Sequence, residues 1–354
     1  MTPLAELLIR RIAATGPITV ADYMAECLLH PEHGYYTGRD PFGSGGDFVT
    51  APEISQMFGE LVGLCLAQAW LDQGAPAPFT LAELGPGRGT LMADILRATG
   101  SVPGFREAAQ VHLVEASPAL RARQRQTLAE ARVTWCETAD ALPDQPLLAI
   151  ANEFFDALPI RQFERGHDGW RERQIAVRDG RLIFGLTAAA PLSALDHRMC
   201  DTEPGDLVET CAPARPVVEA LARRIAGHSG AALIIDYGGW RSRGDTLQAV
   251  RGHEPDDPLA HPGQADLTAH VDFEALADAA PGVARSRLTP QGVFLERLGV
   301  TARAQALAKT LTGDALTRHI AAHRRLTHPR EMGSLFNVLA LYPRDARPPP
   351  GLEP

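Results

Sequence analysis

The chain has 354 residues, of which 45% are hydrophobic and 22% are charged, a composition that allows a large buried core. Its formal net charge is −9, which argues against non-specific binding to the phosphate backbone of nucleic acids. No apolar run in the sequence reaches the roughly 20 residues that a helix needs to cross a bilayer.

Residues 1–78 are predicted to form a helical cap and a lid loop. Leucine and isoleucine recur at helical spacing over residues 4–12, and residues 58–71 form a longer, mostly apolar helix. Between the two helices, residues 43–56 are rich in glycine yet contain Phe48, and flexible linkers rarely carry aromatic side chains. We therefore expect this loop to act as a lid that becomes ordered over a bound ligand.

Strand and helix patterns alternate over residues 79–158. The predicted strands lie at 79–84, 111–116, 133–137 and 147–152, and the predicted helices lie at 90–98 and 118–131. Alternation at this spacing implies right-handed crossovers and a parallel sheet.

The pattern changes over residues 159–212, where polar and apolar residues alternate around two Asp-Gly pairs. Such pairs favour hairpin turns, here at Asp168-Gly169 and Asp179-Gly180, so we interpret this segment as a β-rich insertion. Strand and helix patterns resume over residues 213–345, and the Pro-rich residues 346–354 are predicted to be a frayed tail.

The strongest local signal is a glycine-rich turn directly after the first of these strands, Glu83-Leu84-Gly85-Pro86-Gly87-Arg88-Gly89. Glycines let the backbone turn tightly and let a ligand lie against the main chain. A dinucleotide fingerprint would need its third glycine at position 90, where Thr90 stands. The Glu83 carboxylate would repel a pyrophosphate and attract the ammonium and sulfonium charges of S-adenosylmethionine (SAM). The turn therefore favours SAM over NAD or FAD, with a tight turn that binds no ligand as the alternative.

Acidic residues follow the second and third strands. Glu115 closes the second strand, where an acid in dinucleotide-type folds accepts hydrogen bonds from ribose hydroxyls; an acid at a helix N-terminus beside Ser117 is the alternative. Asp140 follows the third strand, in the loop that covers the adenine in this architecture. The predicted cofactor-binding residues are Glu83, Gly85, Pro86, Gly87, Gly89, Thr90, Glu115, Ala116, Asp140, Ala141 and Asn152, with Ser55 and Gln56 from the lid loop.

The loop after the fourth strand, residues 152–156, is predicted to face the transferred group, because ligands bind outside the carboxyl ends of parallel strands. It combines two acids, Glu153 and Asp156, with apolar neighbours. Solvated loop charges are the alternative interpretation.

Other kinds of site are not indicated. His30 and His33 lie in a loop without helical i,i+4 spacing, so no metal site is predicted. The sequence contains neither a GxSxG nucleophile elbow nor the GK[ST] end of a P-loop.

Longer motifs resemble the MidA family over nearly the whole chain. They are HPEHGYY (30–36), GDFVTAPEISQMFGE (46–60), ELGPGRGTLMADILR (83–97), HLVEASPALR (112–121), ANEFFDALPIRQF (151–163), IIDYG (234–238), DLTAHVDF (266–273), QGVFLERLG (291–299) and MGSLFNVLAL (332–341).

The resemblance implies a class I SAM-dependent methyltransferase. The implied fold is α/β and Rossmann-like, with a mostly parallel seven-stranded sheet, an N-terminal helical extension and an inserted β-rich segment. In the family's pattern Glu83, Gly85, Gly87 and Gly89 hold the methionine end of SAM and Glu115 holds the ribose.

The resemblance also implies a protein substrate, since mitochondrial members of the family assist assembly of respiratory complex I (NADH:quinone oxidoreductase) by methylating an arginine. We therefore expect a protein arginine N-methyltransferase that acts on a complex I subunit and releases S-adenosylhomocysteine. No mitochondrial targeting segment is recognised in the sequence, so we expect a bacterial cytoplasmic protein without nucleic-acid partners or membrane insertion.

The two loop acids are the predicted catalytic residues. A carboxylate that binds two nitrogens of a guanidinium localises the positive charge there and leaves the third nitrogen richer in electrons. Glu153 is the first candidate for this role and Asp156 the second. A SAM-binding assembly protein without turnover and an NAD(P)-dependent oxidoreductase are the alternative functions.

Overall fold

The computed structural model describes residues 1–38 and 50–354. Its helices in chain order are α1 (Pro3–Thr15), α2 (Val20–Leu29), α3 (Tyr35–Gly38), α4 (Ala51–Ile54), α5 (Gln56–Asp72), α6 (Thr90–Thr99), α7 (Phe105–Ala108), α8 (Pro118–Thr127), α9 (Ala214–His228), α10 (Phe273–Asp278), α11 (Gln291–Arg297), α12 (Val300–Ala308), α13 (Gly313–Thr327) and α14 (Met332–Leu335). Among these described residues, no helix has the length and apolar character needed to cross a membrane.

The strands form three sheets. In chain order they are β1 (Ile18–Thr19), β2 (Phe79–Leu84), β3 (Ala109–Val114), β4 (Val133–Cys136), β5 (Leu147–Asn152), β6 (Arg161–Gly166), β7 (Gly169–Arg178), β8 (Arg181–Leu186), β9 (Leu207–Thr210), β10 (Gly230–Gly239), β11 (Gln248–Arg251), β12 (Glu254–Asp256), β13 (Asp266–Thr268), β14 (Val271–Asp272), β15 (Ala284–Arg285), β16 (Thr289–Pro290) and β17 (Phe336–Tyr342).

The main sheet has the strand order β4-β3-β2-β5-β10-β17-β15, with β14 and β16 paired beside this path. Neighbouring strands from β4 to β10 run parallel, and β17 runs antiparallel between β10 and β15. Helices cover both faces, α5 and α6 on one and α9 and α10 on the other, so β2 and β5 are buried at every residue. The predicted mostly parallel Rossmann-like sheet is confirmed.

The cap helices begin and end where the sequence supplies capping residues. Thr2 accepts a hydrogen bond from the Ala5 amide at the start of α1, and Gly16, with φ of 88°, ends that helix. Thr19 and Asp22 form a capping box at the start of α2.

A second sheet joins the N-terminal cap to the inserted segment, because β1 pairs with β7 and the order is β1-β7-β6-β9 with β8 beside β7. The β7–β8 hairpin turns at the predicted Asp179-Gly180 pair, where both residues have positive φ. The β6–β7 turn lies one residue earlier than predicted, at residues 167–168, because Gly166 pairs with Gly169 across the hairpin.

The expected frayed tail is instead docked onto the domain. Leu352 is buried in the main core, and the Glu353 carboxylate lies 2.6 Å from the guanidinium of Arg297. The Glu353 carbonyl also accepts a hydrogen bond from the Arg287 amide at 2.8 Å. One apolar side chain therefore anchors a segment whose proline content predicted disorder.

Candidate active site

The glycine-rich turn links β2 to α6 as predicted, and its three glycines all have positive φ: 61° at Gly85, 51° at Gly87 and 84° at Gly89. Side chains with a Cβ rarely adopt these conformations. A Cβ built at Gly85 would also lie 2.8 Å from Cδ2 of Phe154, too close for an unstrained contact. The turn thus needs glycine both for its shape and for the close approach of the loop after β5.

Two adjoining cavities lie at the carboxyl ends of the parallel strands and share Gly85, Gly87 and Glu153. The larger has a volume of about 300 Å³ and a mostly apolar lining that includes Leu28, Leu29, Tyr36, Glu115, Ala116, Ser117, Glu137, Thr138, Ala139, Phe154 and Pro159. The smaller cavity is lined by Thr50, Pro52, Glu53, Glu83, Pro86, Arg88, Thr90, Leu91 and Asn152 together with the three shared residues.

Two buried acceptor atoms in the smaller cavity lack a partner. Oε2 of Glu83 and Oδ1 of Asn152 have no hydrogen bond within the described part of the chain, although Glu83 is only 3% exposed and Asn152 only 8%. Burial raises the pKa of the Glu83 carboxyl well above its usual range. A cationic ligand would satisfy both oxygens and would favour the charged form of Glu83.

Glu115 lies in the larger cavity at the end of β3. Its Oε1 accepts a hydrogen bond from the Ser117 amide at 2.8 Å, and its Oε2 accepts one from Nε2 of Gln124 at 3.1 Å. Burial raises the pKa of its carboxyl, and these two hydrogen bonds oppose that rise. The carboxylate keeps acceptor capacity for a hydroxyl group of a ligand.

Glu153 stands where the two cavities meet, and its backbone φ of 53° is uncommon for a residue with a side chain. Its Oε1 accepts hydrogen bonds from the Ala51 amide at 3.2 Å and from Nδ2 of Asn152 at 3.1 Å. Burial and the nearby charge of Asp156 raise the pKa of Glu153 to about 7. Glu153 is thus a carboxyl group on a strained backbone that ionises near neutral pH.

Asp236, in the C-terminal half of β10, fixes the backbone of the loop that carries Glu153. Its Oδ2 accepts hydrogen bonds from the amides of Phe154, Phe155 and Asp156 at 3.0–3.3 Å, and its Oδ1 accepts one from the Tyr237 amide at 3.0 Å. Burial raises the pKa of Asp236. Sequence reasoning missed this residue, although an acid near the carboxyl end of a buried strand, here in IIDYG, is a signal similar to that of Glu115.

Residues 61–291 match the family described as "Putative S-adenosyl-L-methionine-dependent methyltransferase". The chain belongs to this family. It is 39% identical to "Protein arginine methyltransferase NDUFAF7, mitochondrial" from Mus musculus, over 97% of this chain and 85% of that protein, and 37% identical to the Homo sapiens protein of the same name, over 97% and 84%. The resemblance to the MidA family is thereby confirmed.

A solved structure shares the fold. It is a methyltransferase-type protein from Burkholderia thailandensis bound to S-adenosyl-homocysteine, and it is 31% identical, with a TM-score of 0.83 over 98% of this chain and 93% of that chain. Together with the family match, this makes the chain a class I SAM-dependent methyltransferase with SAM as its cofactor. The alternative of an NAD(P)-dependent oxidoreductase is not supported.

The residues present fit SAM. The smaller cavity offers the unpartnered oxygens of Glu83 and Asn152 to an ammonium group, and the larger cavity offers Glu115 to a pair of hydroxyls. The shared glycines Gly85 and Gly87 leave room for a ligand that spans both cavities.

Three of the predicted cofactor-binding residues, Asp140, Ala141 and Gly89, line neither cavity. Asp140 is exposed and pairs with Arg223 at 2.6 Å, while Ala141 ends the 3₁₀ turn that begins at Ala139. The cavity is instead lined by the residues just before that turn, including Thr138. Gly89 caps α6, and a Cβ built on it would lie 3.4 Å from Cδ1 of Leu128.

The lid-loop contacts also need correction. Ser55 caps α5 by accepting a hydrogen bond from the Met57 amide, and Gln56 donates to Glu60 on the same helix. Residues of the preceding short helix α4 line the smaller cavity instead, and Glu53 accepts a hydrogen bond from the Thr90 hydroxyl at 2.5 Å. The remainder of the predicted lid, residues 43–49 with Phe48, lies outside the described residues.

Asp156, the second predicted catalytic residue, lines neither cavity. Its side chain is buried beside Tyr237, and its Oδ1 has no hydrogen-bond partner among the described residues. Burial raises the pKa of its carboxyl. The backbone has positive φ at Glu153, and of the two acids only Glu153 lines the cavities.

Replacing Glu115 with alanine should weaken SAM binding by about 2–3 kcal/mol, the usual loss for hydrogen bonds to a charged group. Asp140→Ala is the matched control, because Asp140 is an acid of the neighbouring loop whose carboxylate pairs with Arg223 at the surface. Calorimetric titration with SAM would compare the two. Equal losses in both variants would remove Glu115 from the ribose site.

Proposed function

We propose that this protein is a protein arginine N-methyltransferase that acts on a subunit of respiratory complex I. Its relatives from Mus musculus and Homo sapiens carry the name of a protein arginine methyltransferase. The observation that carries the proposal is the position of Glu153, a carboxylate held at the junction of the two cavities by a strained backbone.

Glu153 provides what a guanidinium acceptor requires. SAM, when bound, supplies a methyl group on a sulfonium for in-line displacement. An arginine nitrogen is a poor nucleophile because the guanidinium stays protonated. The Glu153 carboxylate would bind two guanidinium nitrogens and concentrate their positive charge, which leaves the third nitrogen better able to attack. Phe154, beside it, would help to exclude water from the reacting atoms.

The proton balance of the reaction also suits this residue. The attacking nitrogen forms a bond to the methyl carbon, the bond from that carbon to sulfur breaks, and the nitrogen then loses one proton. A carboxylate whose pKa is about 7 can accept that proton and return it to solvent at neutral pH.

The remaining site residues take the following proposed roles. Glu83 and Asn152 hold the ammonium group of SAM, Glu115 holds the ribose hydroxyls, and the turn from Gly85 to Gly87 lies against the methionine chain. Asp156 supports the loop together with Asp236, so we now propose it as a positioning residue and Glu153 as the catalytic one.

The proposal is tested by transferring labelled methyl groups from SAM to purified complex I subunits and mapping the label by mass spectrometry. We expect dimethylated or monomethylated arginine in one subunit, and its loss in a strain without this gene. Label on another residue type would contradict arginine specificity. SAM binding without any transfer would support the alternative of an assembly protein without turnover.

The proposal also includes the cellular compartment in which the protein acts. The relatives named above are mitochondrial proteins, and we propose that this chain acts in a bacterial cytoplasm. Fractionation of cells that express a tagged protein would check this location.

A further inference from the structure

A buried glutamine joins the glycine-rich turn to the acid at the end of β3. Gln124 lies on α8 and has no exposed surface. Its Nε2 donates hydrogen bonds to the Gly87 carbonyl at 2.8 Å and to Oε2 of Glu115 at 3.1 Å. Its Oε1 accepts a hydrogen bond from Nε1 of Trp135 at 2.8 Å. Both hydrogens of the amide and its oxygen are therefore used.

The orientation of this amide is decided by chemistry. The Trp135 indole nitrogen can only donate, so the atom facing it must be the amide oxygen. The amide nitrogen then necessarily faces Glu115 and the Gly87 carbonyl. A flipped amide would place its oxygen against two other acceptors, which is unfavourable in a buried site.

The protein's own hydrogen bonds to the Glu115 carboxylate leave it able to bind hydroxyl groups of a ligand. The Ser117 amide occupies one position on Oε1 and Gln124 occupies one on Oε2. The Ala116 amide also stabilises the charged form of this carboxylate, and the two oxygens, which can each accept two hydrogen bonds, keep acceptor capacity for a ligand hydroxyl. Two neighbouring acceptors fixed in one plane match a vicinal diol.

We propose that Gln124 is a positioning residue that holds the Glu115 carboxylate in register for the ribose diol of SAM. This inference rests on the proposed role of Glu115 at the ribose. The same amide also donates to the Gly87 carbonyl, which ties α8 to the glycine-rich turn. Gln124 itself does not line either cavity.

The test compares S-adenosylhomocysteine with its 2′,3′-dideoxy analogue by calorimetric titration of the full chain. Gln124→Met keeps the length of the side chain and removes its hydrogen bonds. We expect its affinity for S-adenosylhomocysteine to fall about 10-fold or more, as for a lost hydrogen bond to a charged group, and its affinity for the dideoxy analogue to stay near wild type. Gln126→Met is the matched control, since Gln126 lies on the exposed side of the same helix.

Double substitution separates positioning from packing. If Gln124 acts through Glu115, the variant carrying both Gln124→Met and Glu115→Ala should bind no more weakly than Glu115→Ala alone. If Gln124→Met does not fold, Trp135→Phe removes only the donor that orients the amide and should give a smaller loss of the same kind.

Two results would overturn the proposal. A wild-type preference for the hydroxylated ligand in Gln124→Met would show that Glu115 needs no help, and an equal loss for both ligands would place the effect on the glycine-rich turn. Glu115→Ala is measured beside them. If it too keeps the wild-type preference, the ribose role of Glu115 fails together with this inference, whereas a failure of arginine methylation leaves these binding results unchanged.

Discussion

The variant Glu153→Gln should transfer methyl groups at least about 10²-fold more slowly than the wild type, a typical loss when a positioned electrostatic partner is removed. Glutamine keeps the size of the side chain and one acceptor oxygen but lacks the charge that concentrates the guanidinium charge. SAM affinity should change little, because Glu83, Asn152 and Glu115 remain. Single-turnover transfer to the purified complex I subunit, beside SAM titration, measures both quantities.

Asp156→Asn is the comparison variant, because it removes a neighbouring buried charge that does not face the cavities. We expect a milder loss of transfer from it. Near-normal transfer by Glu153→Gln would remove Glu153 from the catalytic role, and loss of SAM binding by the same variant would move it to the cofactor site.

The pH dependence of the reaction follows from the same residue. The pKa of Glu153 is raised to about 7, so the carboxyl is neutral below that pH and cannot hold a guanidinium. The rate at low substrate concentration should therefore rise with pH up to about 7 and then level off, and Glu153→Gln should lack this rise. Because the raised pKa means that the folded state binds this proton more tightly, Glu153 lowers stability as pH rises from about 4.5 to 7. The glutamine variant should accordingly melt at a higher temperature than the wild type at pH 8 but not at pH 4.

The variant Gly87→Val should bind SAM too weakly to detect by calorimetric titration. Gly87 has φ of 51° and lines both cavities, so a branched side chain is strained there and is expected to narrow the space for SAM. The backbone strain lowers the stability of the fold with or without SAM, whereas the lost space affects only SAM binding. The two effects can therefore be measured separately.

Gly313→Val provides the matched control. Gly313 has φ of 54°, close to that of Gly87, and an added Cβ there would meet nothing within 4 Å. Both variants should lose a similar amount of stability, about 1 kcal/mol or somewhat more, from the unfavourable backbone conformation. Only Gly87→Val should lose SAM binding, and a folded Gly87→Val protein with wild-type affinity would contradict the cofactor position.

The backbone conformation at Glu153 is strained and is enforced by its surroundings. A residue with a side chain at φ of 53° costs of order 1–3 kcal/mol and persists only where its surroundings enforce it. Asp236 enforces it here, since its carboxylate accepts hydrogen bonds from the three amides that follow Glu153. The loop thus keeps Glu153 aimed at the cavities at the expense of local stability.

The central strands and the glycine-rich turn can be predicted from the residues alone. Residues 79–84 and 147–152 were predicted with the bounds that the structure shows, because a strand covered on both faces is a short apolar run with clear ends. The glycine-rich turn can be predicted equally well. Its shape needs positive φ at Gly85, Gly87 and Gly89, and few residues other than glycine adopt positive φ.

The side chains that meet at the site, in contrast, cannot be predicted before the packing of the strands and helices is known. Asp236 reaches the loop at Phe154 from more than 80 positions further along the chain, and Gln124 joins Glu115 to Gly87 through the side of a helix. No periodicity or spacing in the sequence predicts either contact, because hydrogen bonds between distant segments depend on how the strands and helices pack. The pairing of Asp140 is of the same kind: its carboxylate binds Arg223, which the fold brings beside it, and it lines neither cavity.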